Sequence, residues 1–416
     1  MDDDDERHRT MILQPISLMI SAFLVVASIK TKYVEALSSG LPNKQMHVAG
    51  SRLRPIPYIA TTSTVEHGRA LEQYIREGDC VLELGTQLDA SSNIILETVG
   101  KSGRAALVDV KRTETNSGRT TQGSRNTDKF LGANDVDGSK NFEYLELEQF
   151  SQWRSVLDDD HHSYRQFDIL VLDATAMLGN DLELTSISVI TEYVNTMVRK
   201  GRRPRAVIVK SKAIASLARR LIHAQRLFDG TIVRDLTVPS RDGKPYIVAG
   251  VGVEEYRRTI PHVVKEGDKA VEVGCFKGTT TALVHEAANP AKGGYCIGVD
   301  IGPKIIQRAK QDHPDLKFEV GDGFRSLDLM RIKQACYPQS SPREILSTYD
   351  VVYADIGGLS GPDGLMEALS LMDGLGYALE PRCIVIKSLC MRRFASSLRS
   401  YSAIWEAKTK QASEKQ

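Results

Sequence analysis

The chain has 416 residues, with 54 basic and 53 acidic side chains and a formal net charge of +1. Its 41% hydrophobic and 26% charged residues are ordinary for a soluble globular protein, which excludes a wholly disordered chain, a collagen-like chain and a polytopic membrane protein. At about 100–200 residues per domain, the length predicts two or three domains.

The first segment along the chain is an uncharged run, residues 11–29, that is about long enough to span a bilayer. The residues before it are acidic, unlike the start of a signal peptide, whereas residues 27–65 are poor in acidic side chains and rich in basic ones, like an organelle transit segment. We therefore predict that residues 1–65 are a targeting or membrane-anchor segment and a linker. Organelle localisation (plastid or mitochondrion) is the first interpretation, a single membrane anchor the second and a buried helix the third.

Three sequence segments recur in the same order in the two halves of the remaining chain. These matches predict two tandem copies of one fold: a first copy at 66–251 and a second copy at 252–405, followed by a disordered tail at 406–416. The matched pairs are REGDCVLELG (76–85) with KEGDKAVEVG (265–274), FDILVLDA (167–174) with YDVVYADI (349–356), and PRAVIVKS (204–211) with PRCIVIKS (381–388).

Within each copy, short β-branched runs alternate with helical patterns, which predicts an α/β fold built on a parallel sheet. In the first copy we also predict a terminal antiparallel hairpin, with strands at 231–236 and 246–251 joined by a turn-rich segment. The other predicted strands are 80–84, 105–108, 144–147, 169–172 and 206–209 in the first copy, and 270–273, 295–299, 317–320, 351–354 and 383–386 in the second.

The second copy carries polar and glycine residues where its predicted strands end. Glycine at a strand-to-helix turn lets the backbone approach a ligand, and carboxylates at strand ends can accept hydrogen bonds from a ribose or an adenine. Because ligands of open α/β sheets bind beyond the carboxyl ends of the strands, these residues are expected to meet at one edge. They are Glu272, Gly274, Gly278, Asp300, Asp322 and Asp355.

This set resembles that of the class I S-adenosylmethionine-dependent methyltransferases, over both copies. The resemblance implies two tandem Rossmann-like domains and S-adenosylmethionine as cofactor. It implies that Glu272, Gly274 and Gly278 form the loop at the methionine end, that Asp300 holds the ribose and that Asp322 holds the adenine. A nicotinamide-binding sheet would instead carry G-x-G-x-x-G after its first strand, and neither copy has that pattern.

The first copy keeps only part of this pattern. Glu83, Gly85 and Asp109 remain, but Asp89 stands where the second glycine is expected, and residues 111–140 are polar enough to indicate a flexible insertion. We expect a substrate-binding or scaffolding first copy, with retained cofactor binding as the alternative.

Each copy ends its fourth strand in an aspartate and its fifth strand in a lysine. These pairs, Asp173 with Lys210 and Asp355 with Lys387, resemble those of RNA 2′-O-methyltransferases of the fibrillarin and heat-shock rRNA types. We expect Asp355 and Lys387 to be catalytic, with Lys387 positioning or deprotonating a substrate hydroxyl and Asp355 orienting it for in-line displacement. The alternative is that Lys387 serves only as the ion-pair partner of Asp355 or is solvated.

The local charge distribution favours a polyanionic partner, because residues 193–228 contain no acidic side chain but many basic ones. The resemblance implies an S-adenosylmethionine-dependent methyltransferase, and together with this charge distribution it leads us to predict RNA as the substrate. A small-molecule O-methyltransferase and an inactive RNA-binding or scaffold protein are the alternatives, and a solvated helix face is the simpler explanation of the charge. The predicted nucleic-acid contacts are Arg199, Lys200, Arg202, Arg203, Arg205 and Lys210.

The six cysteines have no CxxC spacing, so we predict reduced thiols and no metal site. The acidic run at 158–162 is expected to be a surface loop.

Overall fold

The structure, a computed structural model, describes residues 55–86, 90–111, 141–158, 167–178, 181, 183–232, 234–240, 242–337, 349–357, 359 and 364–406. The predictions for residues 11–29, Asp89, the insertion at 112–140, the greater part of the acidic run at 158–162 and the tail after 406 lie outside these residues. No helix among the described residues has the length and apolar character needed to cross a bilayer.

Fourteen strands occur in the described residues, and they include every strand predicted from the sequence except the one at 231–236. The strands are β1 (Tyr58–Thr61), β2 (Cys80–Leu84), β3 (Arg104–Val110), β4 (Phe142–Leu147), β5 (Ile169–Asp173), β6 (Ala206–Lys210), β7 (Leu221–His223), β8 (Tyr246–Gly250), β9 (Lys269–Val273), β10 (Tyr295–Asp300), β11 (Lys317–Val320), β12 (Val351–Ala354), β13 (Cys383–Lys387) and β14 (Leu398–Ser400).

The strands form two seven-stranded sheets, and every pairing in both is parallel. The first sheet has the order β14-β1-β6-β5-β2-β3-β4, and the second sheet has the order β11-β10-β9-β12-β13-β8-β7. This confirms the predicted α/β fold with two Rossmann-like sheets.

Helices connect the strands, as parallel pairing requires. They are α1 (Thr64–Tyr74), α2 (Ala90–Val99), α3 (Ser155–Asp158), α4 (Ala174–Leu178), α5 (Glu183–Arg199), α6 (Lys212–Arg220), α7 (Gln225–Phe228), α8 (Gly252–Arg258), α9 (Ile260–Val263), α10 (Thr279–Ala288), α11 (Pro303–Asp312), α12 (Ser326–Cys336), α13 (Gly364–Leu379) and α14 (Leu389–Ser397), with 3₁₀ turns at Phe150–Arg154 and Pro290–Lys292.

The predicted antiparallel hairpin of the first copy is wrong. Tyr246–Gly250 is an inner strand of the second sheet, between β13 and β7, and pairs in parallel with both. Its central residues are apolar and almost fully buried, which suits an inner parallel strand rather than a half-exposed hairpin. Residues 231–236 contain no strand where they are described, and the Leu236 carbonyl accepts a hydrogen bond from the Arg382 guanidinium instead.

The two sheets exchange their last strands. β7 follows α6 of the first half but pairs with β8 of the second sheet, and β14 follows α14 of the second half but pairs with β1 of the first sheet. β1 and β8 open equivalent units, since both follow a proline and begin Tyr-Ile. Sheet membership therefore crosses the predicted boundary at 251/252, whereas the limits of independently folding domains stay a prediction.

One apolar cluster runs from the first sheet to the second. It joins Leu172 and Val209 of the first sheet to Val273 and Ile386 of the second, through residues of α5 and α13, and these two helices contact each other. Because the strand exchange and this cluster both connect the halves, the described residues from Pro55 onward form one compact unit.

An Asp–Arg pair precedes the central strands of each sheet, and the pair of the second sheet is buried. Arg382 donates from Nη1 to Asp268 Oδ1 at 2.8 Å, and its side chain is only 6% exposed. Arg205 pairs in the same way with Asp79 in the first sheet, where the arginine side chain is 29% exposed. The repeated sequence EGD thus supplies the aspartate, and the repeated PR the arginine, of an equivalent ion pair in each half.

Candidate active site at the carboxyl edge of the second sheet

The strand order places the chemistry-bearing residues at a topological switch point. β9 lies between β10 and β12, so the chain leaves β9 in one direction for β10 and β11 and returns on the other side for β12 and β13. In open α/β sheets, ligands bind in the crevice that such a reversal leaves beyond the carboxyl ends of the strands. The residues that end or follow these five strands therefore share one edge of the sheet. They are Gly274, Asp300, Asp322, Asp355 and Lys387.

The two glycines after β9 occupy positions that a side chain cannot take. Gly274 has φ 79°, and a Cβ there would lie 2.1 Å from the Asp355 carbonyl oxygen. Gly278 has φ 82° and precedes the first residue of α10, and a Cβ there would lie 2.5 Å from Phe318 Cζ. The turn thus brings the backbone of β9 against that of β12, and α10 begins directly after it, with no side-chain cap on its first N–H groups.

Glu272 is the buried acidic group of the site, with 2% of its surface exposed. Burial raises its pKa to about 8, against a hydrogen bond from the Thr281 hydroxyl and despite a nearby Arg257 guanidinium that favours the charged form. The nearby Asp355 carboxylate raises the pKa further. Glu272 is therefore mainly protonated at neutral pH, and a cationic ligand in the crevice would favour its ionisation.

Asp300 ends β10 and keeps its carboxylate at the crevice. It accepts hydrogen bonds from the backbone N–H of Phe276 at 3.3 Å and of Gly302 at 2.9 Å. These two bonds connect the turn after β9 to the turn after β10. Asp322 follows β11 and accepts from the Phe324 N–H at 2.9 Å. Both carboxylates are held by backbone groups.

Three large apolar side chains stand exposed beside these carboxylates. Phe276 is 59% exposed, Ile301 is 71% exposed and Phe324 is 51% exposed, and each follows a strand that carries a predicted binding residue. Exposed apolar side chains at this edge can contact an apolar part of a ligand. Phe276 adopts φ 49°, a left-handed conformation that is uncommon for an aromatic residue.

Asp355 and Lys387 form an ion pair across adjacent strands. The Lys387 Nζ lies 2.5 Å from Asp355 Oδ2, because β12 and β13 pair in register. Asp355 Oδ1 accepts no hydrogen bond from the described residues. The position of Lys387 is set locally, because the next residue, Ser388, is the N-cap of α14 and its hydroxyl accepts a hydrogen bond from the Met391 N–H.

Arg257 is a site residue that the sequence analysis missed. It lies on α8, its Nε donates to the Thr280 hydroxyl at 3.0 Å, and its charge acts on Glu272. A guanidinium beside the β9 turn is suited to a carboxylate or phosphate. No motif marks it, because it precedes the first predicted strand of its copy; the recurring Pro-Tyr-Ile before α1 and α8 is the signal that would have placed that helix.

The corresponding edge of the first sheet is occupied by the chain itself. α4 begins directly after Asp173 and brings Met177 against the β2 turn, where a Cβ on Gly85 would lie 2.8 Å from the Met177 nitrogen. Asp173 uses one oxygen for Lys210 at 2.7 Å and the other for the Ala176 N–H at 3.0 Å. Asp109 accepts from its own neighbour, the Val110 N–H.

The structure separates the six predicted nucleic-acid contacts. Lys210 ends β6, whereas the other five precede it, so β6 divides the set between opposite edges of the first sheet. Several are already engaged: Arg205 pairs with Asp79, Lys210 with Asp173 and Arg199 with Glu192, while Lys200 donates to the Leu157 carbonyl. Arg202 and Arg203 are exposed.

All six cysteines are free of disulfide bonds, and three of them, Cys275, Cys296 and Cys383, are buried. Within the part of the chain that the structure describes, no group of three or more His, Cys, Asp or Glu side chains is arranged to hold a metal ion.

No family model matches the chain, and no curated protein matches it. Among solved structures, a TehB-like SAM-dependent methyltransferase from Corynebacterium glutamicum is 20% identical over 31% of this chain and 60% of that one, with a TM-score of 0.21. A candidate protein-L-isoaspartate O-methyltransferase from Plasmodium falciparum, in complex with S-adenosyl-L-homocysteine, is 19% identical over 34% and 72%, with a TM-score of 0.18. A candidate Zn-dependent alcohol dehydrogenase from Rhodobacter sphaeroides is 12% identical over 39% and 52%, with a TM-score of 0.19. The chain thus spans less than two thirds of the first of these, and likenesses with such TM-scores leave the function to be argued from the site.

Proposed function

We propose that the protein is an S-adenosylmethionine-dependent methyltransferase and that its active site is the carboxyl edge of the second sheet. The observation that carries the proposal is the tight turn after β9 at the switch point of the sheet, where Gly274 and Gly278 let the chain pack closely against Asp355 and Phe318. Asp300 and Asp322 lie on one side of this turn, and the ion pair of Asp355 with Lys387 lies on the other.

Each part of the cofactor has a chemically matched group at this edge. Arg257 suits the carboxylate of the methionine part, Glu272 the positive charge beside it, and Asp300 the ribose diol. Asp322 suits the adenine amino group, and the exposed side chains of Ile301 and Phe324 suit the faces of the ring.

When bound, the cofactor supplies an electrophilic methyl group. The ammonium of Lys387 is held by Asp355 and keeps donors available to orient a substrate oxygen. Asp355 Oδ1 can accept the hydroxyl proton of the substrate as the oxygen takes the methyl group. Positioning of the two reactants by this pair is the main contribution that the geometry offers.

Calorimetric titration with S-adenosylmethionine and with S-adenosylhomocysteine tests the cofactor assignment. We expect both to bind the wild type, and Asp300→Ala to weaken binding by at least about tenfold, because the ribose loses its acceptor. Asp109→Ala, at the equivalent position of the first sheet, is the matched control and should leave binding unchanged. A wild type that binds neither compound, or that binds NAD instead, contradicts the proposal and favours an inactive scaffold or a dehydrogenase.

We further propose RNA as the substrate. The support is the acid-free basic stretch at 193–228, of which Arg202 and Arg203 are exposed. Binding of total RNA measured by filter retention should weaken as salt rises, and it should weaken further in the double variant Arg202→Ala/Arg203→Ala. Methyl transfer from labelled cofactor to RNA but not to a metabolite extract is the expected activity.

A small-molecule O-methyltransferase is the second candidate. It is favoured by the engagement of Arg199, Lys200, Arg205 and Lys210 with partners inside the protein, which leaves fewer cations for a polyanion. Label that enters the metabolite extract and not RNA would support it, and RNA binding that is insensitive to salt would count in the same direction.

The composition of the amino-terminal segment supports a proposal about localisation. We propose that residues 1–65 direct the chain to an organelle, with membrane anchoring as the alternative. A fluorescent protein fused after residue 65 should enter the organelle and lose the segment. Retention of the uncleaved fusion in a membrane fraction would support the anchor instead.

A further inference from the structure

Helix α14 links the candidate active site to the amino edge of the first sheet. It begins after Lys387 and Ser388 at the carboxyl edge of the second sheet, and it ends before Leu398, the first residue of β14. β14 pairs in parallel with β1, where Leu398 lies opposite Tyr58, the first residue of that strand. The nine residues of α14 span about 14 Å. The carboxyl edge of the second sheet and the amino edge of the first sheet are therefore one short helix apart on this side of the protein.

The exchanged strand β7 brings a segment of the first half to the same place. α14 contacts both β7 and β8. His223, the last residue of β7, lies opposite Ala249, and the next residue of β8, Gly250, lies opposite Lys387. Because neighbouring strands are about 4.8 Å apart, the end of β7 lies about 10 Å from the end of β13.

Arginines of both halves lie around the end of β7. Burial lowers the pKa of His223, and the guanidiniums of Arg392 on α14 and Arg226 on α7 lower it further, against the carboxylate of Glu255. Burial also lowers the pKa of Arg399 on β14, and Arg226 lowers it further. The charges of α7, α14 and β14 therefore act on one another across the strand exchange.

Positive charge continues onto the amino edge of the first sheet. Arg399 acts electrostatically on the phenol of Tyr74. Burial raises the pKa of Tyr58 to about 12, and the nearby Arg203 guanidinium opposes this rise. Arg203 and its neighbour Arg202 are exposed, and they precede β6, which pairs with β1.

These arginines form one surface, the basic surface, and they come from two stretches of the chain that contain no acidic side chain. Residues 193–228 supply three of them and residues 381–405 supply the other three. The two stretches are far apart in the sequence, and the exchange of β7 and β14 brings them together. The members of the basic surface are Arg202, Arg203, Arg226, Arg392, Arg393 and Arg399.

Three arginines of the basic surface are unpaired within the described residues. The side chains of Arg202, Arg226 and Arg393 form no hydrogen bond or ion pair with any of these residues. Arg392 binds Glu255 through Nε and Nη2, which leaves its Nη1 without a partner in the described residues. Like charges this close repel one another, and a polyanion beside them would relieve the repulsion.

A nucleic-acid strand fits the basic surface better than a membrane does. Neither α7 nor α14 exposes a large apolar side chain, whereas a helix that binds a bilayer buries such side chains in it. Proteins that bind single strands follow the phosphate backbone with positive charge. The basic surface ends at the half-buried pair of Asp355 and Lys387, which a ribose of an unpaired strand reaches more readily than a ribose held in a duplex.

We propose that the basic surface binds single-stranded RNA, with phosphates along α7 and α14 and a ribose hydroxyl at the Asp355–Lys387 pair. This inference rests on the proposed function and adds the path of the substrate to it. It also gives the first half of the chain a role, because α7 and the amino end of β6 hold the strand beside an active site that the second half forms.

Fluorescence anisotropy of the whole chain with a labelled uridine oligonucleotide of about 15 nucleotides tests the basic surface, in the absence of S-adenosylmethionine. We expect the wild type to bind less tightly as salt rises, and Arg226→Ala/Arg393→Ala to bind about tenfold or more weakly. This double variant should also reduce the slope of log affinity against log salt by about 1.4, since each phosphate contact on a single strand accounts for about 0.7. Arg308→Ala/Arg331→Ala, on α11 and α12 at the β11 side of the second sheet, removes the same charge and should bind as the wild type does.

Crosslinking locates the strand independently of these variants. RNA that carries 4-thiouridine should crosslink to peptides within residues 224–228 and 388–400, identified by mass spectrometry. Crosslinks confined to other surfaces, an equal loss of affinity in the control double variant, a wild type that binds no RNA at low salt, or binding to phosphatidylserine vesicles in place of RNA overturns the proposal.

Calorimetry with S-adenosylhomocysteine separates this inference from the proposed function. Arg226→Ala/Arg393→Ala should bind that compound as the wild type does, because neither residue lies in the crevice. A chain that binds S-adenosylhomocysteine but no RNA refutes the basic surface and leaves the cofactor assignment standing. RNA that binds and crosslinks as expected to a chain without cofactor binding supports the basic surface and contradicts the proposed function.

Discussion

The carboxyl edges of the two sheets share the same strand order and the same Asp–Lys pair, yet they differ in what fills the space above the strands. In the first sheet, α4 starts directly after Asp173, so Met177 packs against Gly85 and both oxygens of Asp173 are used within the protein. In the second sheet, residues 356, 357 and 359, which are the described residues between Asp355 and α13, are not helical, and Asp355 Oδ1 accepts no hydrogen bond from the described residues. The difference teaches that the Asp–Lys pair belongs to the fold of both sheets, and that the two edges differ in what the described residues place beside it.

The Asp–Arg pair at the amino edges offers the strongest test of what the two halves share. Arg382→Ala leaves Asp268 buried without its partner and should lower the free energy of unfolding by about 3–5 kcal/mol. Arg205→Ala should cost less, because that arginine is more exposed and solvent screens its pair. Urea unfolding of the two variants measures the difference. Equal losses of unfolding free energy in the two variants would contradict the expectation that the more buried pair contributes more to stability.

Variants of the two Asp–Lys pairs should differ in methyl-transfer activity. Lys387→Met should lower methyl transfer by about 100-fold or more, because the substrate oxygen loses its positioning donor, while calorimetric cofactor binding stays unchanged. Lys210→Met is the matched variant in the first sheet and should leave turnover unaltered. A comparable loss in Lys210→Met would mean that the first edge also takes part in the reaction.

The glycines after β2 and β9, Gly85 and Gly274, allow the backbone turns of the two edges to be compared. Both have positive φ, and alanine at either should destabilise the protein by about 1–3 kcal/mol. We expect Gly274→Ala to weaken cofactor binding by at least about tenfold as well, because the turn must move from the Asp355 backbone, whereas Gly85→Ala should change only the melting temperature. Cofactor binding that survives Gly274→Ala would place the ligand elsewhere.

The effect of Glu272 is confined to the pH dependence of stability. Its pKa of about 8 in the folded protein lies above the ordinary value of 4.5, so the folded state holds the proton more tightly than the unfolded state does. The stability that this group contributes is fully present below pH 4.5 and is lost as the pH rises toward 8.

Glu272→Gln removes this titration. The decline of the melting temperature between about pH 5 and pH 8 should therefore be smaller by a few degrees in Glu272→Gln than in the wild type. Glu83→Gln, at the equivalent position of the first sheet, is the comparison variant. Identical pH profiles for the wild type and Glu272→Gln would contradict the raised pKa.

Much of this fold could be predicted from local patterns. Apolar runs such as Ile169–Asp173 and Cys383–Lys387 are strands because every inner residue is buried between helices. The recurrence of the segments around Gly85 and Gly274 likewise indicated two equivalent units. The candidate residues after β9 to β12 do meet at one edge, because parallel strands end on the same side of a sheet.

The sequence by itself determined the strand identities, the repeat and the chemical groups at the strand ends, since these depend on short-range hydrophobic pattern and on residue type. Only the tertiary structure decided which sheet takes β7, β8 and β14, because a strand pairs with whichever edge its connecting helix brings it to. The same holds for the partners of Arg205 and Lys210, which the charge pattern presented as free cations and which packing placed beside Asp79 and Asp173. Local sequence does not encode these pairings, since the partners are more than thirty residues away along the chain.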